Sequence, residues 1–310
     1  MMNRRQACRL LGASVLFPTT LARAEAAAGF RPRYVLASAL YGDMDLDAVL
    51  GEVRRAGCEA VDIWRKPHGD QREQIAAMGD EAFQRLLERH DTRMAISTCY
   101  PLGPFGRDEE MAWVKRNGGE MTVCATGRMG DELAPRGAEA RRQVKAFFER
   151  LEPHIDLAEE LGVTMAFENH GNSMMAHPDS IRYFVEFNPS ERVGIAFAPH
   201  HLNDHLDEIP ALIRDIGADQ LPFIYFQEHS EAASVKMDKE IELQQLPGFG
   251  TLDYVPILEA LRDIRFTGYA EIFMHPVPRG VPMLDTAAEI TAAVNRSRAH
   301  IDGCLARLTT

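Results

Sequence analysis

The segment "RVGIAFAPHHLNDHLDEIPALIRDIGADQLPFIYFQ" (residues 192–227) contains the pattern that decides the fold. It begins with the apolar run "RVGIAFA", continues through the amphipathic stretch "LDEIPALIRDIG" and ends in a second apolar run, "QLPFIYFQ". Continuously apolar runs of this length are typical of parallel strands that are buried on both faces. In the central stretch, apolar residues recur at three- and four-residue intervals between charged ones, which predicts a helix. The segment therefore predicts a strand, a helix and a second, parallel strand.

The same unit recurs along the chain. Strands are predicted within residues 33–40, 59–64, 92–98, 120–126, 163–168, 192–198, 220–227 and 268–273. Helices are predicted within residues 45–57, 80–90, 109–118, 136–161, 178–187, 206–217, 253–264 and 286–308. Eight such units predict a single-domain α/β fold, the (β/α)8 TIM barrel, over residues 30–310. An open doubly wound sheet is the alternative, but no G-x-G-x-x-G motif follows the first strand and no P-loop is present.

The first 24 residues have the composition of an export signal. Arg4 and Arg5 precede an apolar run, Leu10–Leu21, and the sequence Ala22-Arg23-Ala24 follows it. A charged region, a short apolar region and an A-x-A site in this order predict a signal peptide, and the paired arginines suggest the Tat type. We therefore expect residues 1–24 to direct the protein to the periplasm or out of the cell. The alternative is an amphipathic N-terminal helix on a cytoplasmic protein.

Charge and composition restrict the range of partners. The chain has 310 residues and a formal net charge of −12, which makes it a poor match for a nucleic acid, because nucleic acids are bound mainly through Lys and Arg. Outside the N-terminus no apolar stretch approaches the roughly 20 residues of a membrane span. The cysteines lack C-x-x-C spacing, so we expect buried free thiols. A small molecule is the expected partner, and the sequence leaves homo-oligomerisation open.

Polar residues follow five of the predicted strands. A TIM barrel carries its active site at the C-terminal ends of its strands, so these residues are expected to meet at one rim. Two carboxylates there would repel each other unless a cation lay between them. A divalent ion would remove that conflict and would also polarise a substrate oxygen. The residues are Trp64, His68, Glu168, His170, His200, His201, Gln227, His229, Glu271, His275 and Arg279.

Several motifs carry a family resemblance. They are "VDIWRKPHGDQREQ", "AFENHG", "IAFAPHHL", "LPGFGTLDY" and "EIFMHPVPRG". The chain resembles the xylose isomerase-like sugar isomerase/epimerase superfamily, which also includes endonuclease IV. The resemblance implies that Glu168 and Glu271 bind a metal ion and transfer protons. An Asp on strand six and a His on strand seven usually complete the site; here Ala198 and Gln227 stand in their places, and His201 and Gln227 are the expected substitutes.

The resemblance implies a metal-dependent isomerase or epimerase acting on a carbohydrate or keto-sugar. The expected metal is Mn²⁺, Mg²⁺, Co²⁺ or Zn²⁺, held by Glu168, His201, Gln227 and Glu271, with both glutamates catalytic. The same enediolate could instead expel a substituent, which would make the protein a lyase or dehydratase on an oxidised glycoside. An endonuclease IV-like phosphodiesterase and a non-catalytic sugar-binding barrel remain open. The residues expected to contact substrate are Trp64, His68, His170, His200, His229, His275 and Arg279.

Overall fold

Eight parallel strands close into a barrel in the structure, a computed structural model that describes residues 30–308. Each strand pairs with its neighbours in chain order, and β8 pairs with β1 to close the sheet. The strands are β1 (Arg33–Ala37), β2 (Ala60–Trp64), β3 (Met94–Thr98), β4 (Met121–Ala125), β5 (Thr164–Glu168), β6 (Val193–Phe197), β7 (Phe223–Phe226) and β8 (Tyr269–Ile272). All eight lie within the predicted runs, so the (β/α)8 prediction is confirmed. The predicted signal, residues 1–24, lies outside the described residues.

Helices cover the outside of the barrel. They are α1 (Leu46–Glu52), α2 (Gln71–Met78), α3 (Asp80–Arg89), α4 (Asp108–Arg116), α5 (Gly137–Leu161), α6 (Pro178–Phe187), α7 (Ile209–Ile216), α8 (Lys239–Glu242), α9 (Val255–Asp263) and α10 (Ala287–Arg307). Helices α2 and α8 were not predicted; α2 is mostly polar and α8 spans four residues. The sequence favours the start of α10 locally, because Thr286 and Glu289 form a reciprocal capping box.

The alternation of side chains along each strand sets the layers inside the barrel. Asp62 and Trp64 are two residues apart on β2, so they share a face. Glu271 and Phe273 are also two residues apart and share a face of the sheet. Phe273 still belongs to the sheet, because its N–H donates to the Phe226 carbonyl one residue past the end of β8. The rings of Trp64 and Phe273 stack at 4.6 Å with planes 9° apart. The aromatic pair therefore forms a layer nearer the C-terminal rim than Asp62 and Glu271.

Two further observations concern the whole described chain. No helix among residues 30–308 has the length and apolarity needed to cross a membrane. The four cysteines in this range, Cys58, Cys99, Cys124 and Cys304, are buried and carry no disulfide, as the sequence predicted.

Candidate active site

The ends of β5 and β6 are fixed to each other by one amide side chain. Asn169 is fully buried; its Oδ1 accepts from the Ala198 N–H at 2.7 Å, and its Nδ2 donates to the Ala198 carbonyl at 2.9 Å. This pairing extends the sheet contact past the last residues of both strands. It thereby fixes the positions of Glu168 and His170, which flank Asn169, relative to His201, which follows Ala198 by three residues.

Glu168, His170 and His201 form a group of candidate metal ligands. One donor atom from each lies within 4.8 Å of the others. The His201 Nε2 atom lies 3.7 Å from Glu168 Oε1, and this buried nitrogen has no hydrogen-bond partner. Ligands of a tetrahedral zinc ion lie roughly 3.4 Å apart, given bond lengths of about 2.1 Å. The spacing and the unpaired nitrogen therefore fit a divalent ion with three protein ligands.

The protonation states in this group also suit a metal. Burial lowers the pKa of His170 and that of His201, so both rings are neutral at pH 7, the form in which imidazole binds metals. The Nδ1 of His170 accepts a long hydrogen bond, 3.3 Å, from the Asn172 N–H. Binding through Nε2 would place the ring proton on Nδ1, so that weak contact would have to break.

Glu168 is a buried carboxyl group held by a tyrosine. It is 3% exposed at the end of β5, and burial raises its pKa to about 8. The Tyr100 hydroxyl donates a hydrogen bond to Oε2 and partly opposes that rise. Burial, followed by the charge of Glu168, raises the pKa of Tyr100 well above its usual value, so the phenol keeps its proton. Glu168 is therefore set to exchange a proton near neutral pH.

Glu271 lies in a deeper layer. It is fully buried, its carboxyl shares a hydrogen bond with that of Asp62, and it is not part of the ligand group. Burial, followed by the neighbouring charge of Asp62, raises its pKa well above the usual value. Burial also raises the pKa of Asp62 to about 7. The Thr98 hydroxyl donates a hydrogen bond of 2.6 Å to Asp62, which lowers this pKa and partly opposes the rise. Asp62 and Glu271 are therefore a buried acid pair beneath the rings of Trp64 and Phe273.

Gln227 is part of an amide network. Its Nε2 donates to Gln245 Oε1 at 3.0 Å. The same Gln245 oxygen accepts from the His275 N–H, and the Gln245 Nε2 donates to the His275 carbonyl, both at 3.0 Å. Gln227 therefore helps to join the ends of β7 and β8, and it lies outside the ligand group.

Histidines surround the mouth of the barrel. The centre of the His68 ring lies 5.2 Å from that of Trp64 and 5.4 Å from that of His275. The ring centres of His200 and His201 lie 4.0 Å apart. Burial lowers the pKa of His68 to about 4 and the pKa values of His200 and His275 well below the usual value. His68 Nδ1, both ring nitrogens of His200 and His275 Nδ1 are buried without partners. These neutral rings offer free donors and acceptors to a polar ligand.

Arg279 and His229 are the remaining predicted contacts. Arg279 is partly buried and donates to the carbonyls of Pro276 at 2.9 Å and Ala233 at 2.6 Å. His229 is exposed, and its Nδ1 lies 3.2 Å from the His200 carbonyl. It lines a groove beside the barrel mouth rather than the ligand group.

Two residues of this region received no role in the prediction. Tyr100 directly follows the end of β3, the position at which active-site residues were sought, but a lone tyrosine gave no sign of its contact with Glu168. Asp62 is an acid inside the otherwise apolar run "AVDIW". A buried unpaired carboxylate is costly, so this residue carried the same signal as Glu271.

Fold and site together define a (β/α)8 barrel with candidate ligands at its C-terminal rim. A family model described as the xylose isomerase-like TIM barrel matches residues 50–294, so the chain belongs to that family. This agrees with the resemblance read from the sequence motifs. Comparison with curated proteins gave no match.

Solved structures share this fold at low sequence identity. The IolI protein with a bound zinc atom has a TM-score of 0.69 and 14% identity, over 89% of this chain and 98% of that one. D-psicose 3-epimerase, solved with D-fructose, has a TM-score of 0.65 and 13% identity, over 88% and 99%. The 3-keto-D-glucoside 4-epimerase of E. coli has a TM-score of 0.62 and 15% identity, over 87% and 100%.

Proposed function

We propose that this protein is a metal-dependent isomerase acting on a carbohydrate, with Glu168 as the group that moves the proton. The observation that carries the proposal is the buried Glu168 carboxyl, which accepts a hydrogen bond from Tyr100 and lies beside two imidazoles, with one donor atom from each of the three candidate ligands within 4.8 Å of the others. The two epimerases and the zinc-binding IolI protein named above support the substrate class and the metal by analogy.

Each residue of the group has a defined part in this proposal. Glu168, His170 and His201 would hold the divalent ion, which would supply polarisation of a substrate carbonyl. Glu168 takes the proton from the hydroxyl-bearing carbon next to that carbonyl and returns it to the former carbonyl carbon, while the hydroxyl proton passes to the former carbonyl oxygen and the hydroxyl-bearing carbon becomes the new carbonyl. The Tyr100 hydroxyl holds Glu168 in one rotamer through its hydrogen bond. The rings of Trp64 and Phe273 close the floor of the site against water.

The presence of one carboxyl in the ligand group favours isomerisation over epimerisation. Moving a proton between adjacent carbons on one face of an enediolate needs a single base. Inverting one carbon requires removal on one face and delivery on the other, and Glu271 lies below the aromatic layer. The lowered pKa values of His170 and His201 leave both rings unprotonated at pH 7, so neither carries an acidic proton to deliver. We therefore assign the proton transfer to Glu168 alone.

An eliminating lyase is the second candidate, because it uses the same single base. After Glu168 removes the proton, a substituent on the next carbon could leave, and the acid form of Glu168 would protonate it. The pKa of about 8 allows both the base and the acid form near neutral pH. The endonuclease IV-like alternative is less well supported, because the described residues contain one group of three candidate ligands rather than a multi-metal cluster.

Proton exchange with heavy water tests this proposal. Wild-type protein loaded with Mn²⁺ is incubated in D2O with a panel of ketoses, aldoses and 3-keto-glycosides and followed by ¹H NMR. We expect loss of the signal from the hydrogen next to the carbonyl, together with formation of an isomer; an unsaturated product would identify the lyase. Chelator treatment and Glu168→Gln should both stop the exchange. If both samples exchange at the wild-type rate, the proposal is wrong.

The place of action is also proposed. Residues 1–24 have the features of a Tat signal, and we propose that the mature protein acts after export. A fusion of residues 1–30 to a reporter protein, followed by cell fractionation, tests this directly. Retention of the fusion in the cytoplasm would support the cytoplasmic alternative.

A further inference from the structure

Arg279 lies at the mouth of the barrel without an acidic partner. No ion pair joins it to a carboxylate among residues 30–308, and its pKa is lowered by burial alone, without an opposing acid. Its guanidinium donates to two backbone carbonyls, those of Pro276 and Ala233, and a guanidinium carries five N–H donors. A partly buried cation without a counter-ion is unfavourable unless a ligand provides one.

The loop that carries Arg279 lies beside His68 and His275. Arg279 donates to the carbonyl of Pro276, the residue after His275, and a Cβ added at Gly280 would lie 2.8 Å from the carbonyl oxygen of Pro67, the residue before His68. Burial lowers the pKa values of His68 and His275, and the positive charge of Arg279 adds to that effect. His68 Nδ1 and His275 Nδ1 are buried and have no hydrogen-bond partner, and the two rings lie 5.4 Å apart. One cation and two unsatisfied imidazole nitrogens therefore converge from the loops that follow β2 and β8.

This combination suits an anionic oxygen group. Guanidinium binds carboxylate and phosphate through paired hydrogen bonds, and a neutral imidazole donates one further N–H. A neutral hydroxyl would satisfy the imidazoles but would leave the charge of Arg279 unopposed. We propose that the substrate carries a carboxylate or a phosphate, which binds between Arg279, His68 and His275. This inference rests on the proposed function for the location of the substrate.

A binding experiment with matched sugars tests the inference. The full chain is titrated by calorimetry with D-glucose, D-glucuronate and D-glucose 6-phosphate, which differ in the group on the terminal carbon. We expect at least one anionic sugar to bind ten times more tightly than D-glucose. Preference for glucuronate would identify a carboxylate, and preference for the phosphate would identify a phosphate. Equal binding of all three sugars, or no binding of either anion, would overturn the inference.

Variants separate recognition from structure. Arg279→Gln and His68→Phe should each reduce the preference for the anionic sugar over D-glucose at least tenfold; His68→Phe retains a ring beside Trp64. Arg85→Gln, which removes an exposed arginine on α3, is the matched control and should bind as wild type. Thermal melts verify that each variant is folded. An anion preference that persists in both folded variants would contradict the assignment.

The design also distinguishes this inference from the proposed function. Glu168→Gln should lose proton exchange but keep the anion preference, because Glu168 is not among the proposed anion contacts. An anion preference without exchange in wild-type protein would overturn the isomerase proposal alone. Exchange on a neutral sugar, with no anion preference, would overturn the anion site alone.

Discussion

The barrel contains two groups of buried acids that differ in what lies beside them. At the rim, Glu168 has Tyr100 and two imidazoles within reach. One layer deeper, Asp62 and Glu271 face each other beneath a stacked pair of aromatic rings. Burial raises the pKa values of all three acids, so desolvation by itself does not distinguish an active-site carboxyl from an interior one. The neighbouring ligand-type side chains make that distinction.

The depth of a residue along its strand explains the difference. Glu168 is the last residue of β5, whereas Glu271 is the third of the four residues of β8. The next residue of β8 that shares the face of Glu271 is Phe273, and its ring meets Trp64 above the acid pair. Glu271 therefore lies below this ring pair, although the charge of Glu168 still contributes to its raised pKa, after burial and Asp62.

The largest expected effect concerns catalysis. Glu168→Gln should lower the rate of proton exchange about 10²- to 10⁴-fold, the range for loss of a general base. Glu271→Gln should lower it less than tenfold, because its carboxyl lies under the aromatic layer. Exchange in D2O, measured on the sugar that the wild-type protein turns over, gives both values. A loss in Glu271→Gln as large as that in Glu168→Gln would support the two-glutamate mechanism predicted from the sequence and contradict proton transfer by Glu168 alone.

Metal binding is the next largest expected difference. Chelator-treated wild-type protein should gain about 2.7 kcal/mol in free energy of unfolding at a metal concentration one hundred times Kd. His201→Ala should lose most of this gain, since its Nε2 is a candidate ligand. Gln227→Ala and Glu271→Gln should keep it. Thermal melts with Mn²⁺ and Zn²⁺ measure the gain, and its loss in Glu271→Gln would place that residue among the ligands.

The deep pair should make stability depend on pH. The pKa of Asp62 rises from 3.8 to about 7 on folding, so the folded state keeps a proton that the unfolded chain has lost. The free energy of unfolding should therefore fall as the pH rises from about 4 to about 7. Asp62→Asn should reduce this fall by about 4 kcal/mol over the whole range, because each unit of pKa shift is worth about 1.4 kcal/mol.

Urea unfolding at pH 5 and pH 8 measures that change. Asp219→Asn, at an exposed position on the barrel exterior, serves as the control and should keep the wild-type slope. An unchanged pH dependence in Asp62→Asn would show that the deep pair does not hold the extra proton.

The smallest expected effect concerns the aromatic layer. Phe273→Leu removes the stacked contact with Trp64 and should cost about 1 kcal/mol in free energy of unfolding, the typical value for such a pair. Equilibrium unfolding of this variant beside wild type gives the difference. Stability equal to that of wild type would mean that the stacked rings contribute little to the floor of the site.

Much of the fold could be predicted from the sequence because it rests on short-range patterns. Continuously apolar runs located all eight strands, and periodic apolar positions located the long helices. Glu168 and His201, two of the four residues predicted to bind a metal ion, lie together in the candidate ligand group, because both stand at or just after the ends of predicted strands. The short helix Gln71–Met78 was missed because it contains four polar residues before its first buried apolar one, Ile75.

The partners within the site could not be predicted in the same way. Gln227 follows its strand as a ligand would, yet its amide pairs with Gln245, which lies in a later loop. The contact of Tyr100 with Glu168 joins residues 68 positions apart. Such pairings depend on the stagger of neighbouring strands and on the course of loops, and neither is encoded in local hydrophobic periodicity.

The sequence by itself determined the alternation of strands and helices, and hence the closed barrel and the rim where polar residues collect. Burial of both faces of each strand requires apolar side chains, and that requirement is visible residue by residue. The tertiary structure alone decided which acids share a layer, because depth in a barrel depends on strand register and tilt. Register and tilt place Glu168 and Glu271 at different depths. They also bring His68 together with His275 and Arg279, from loops more than 200 residues apart along the chain.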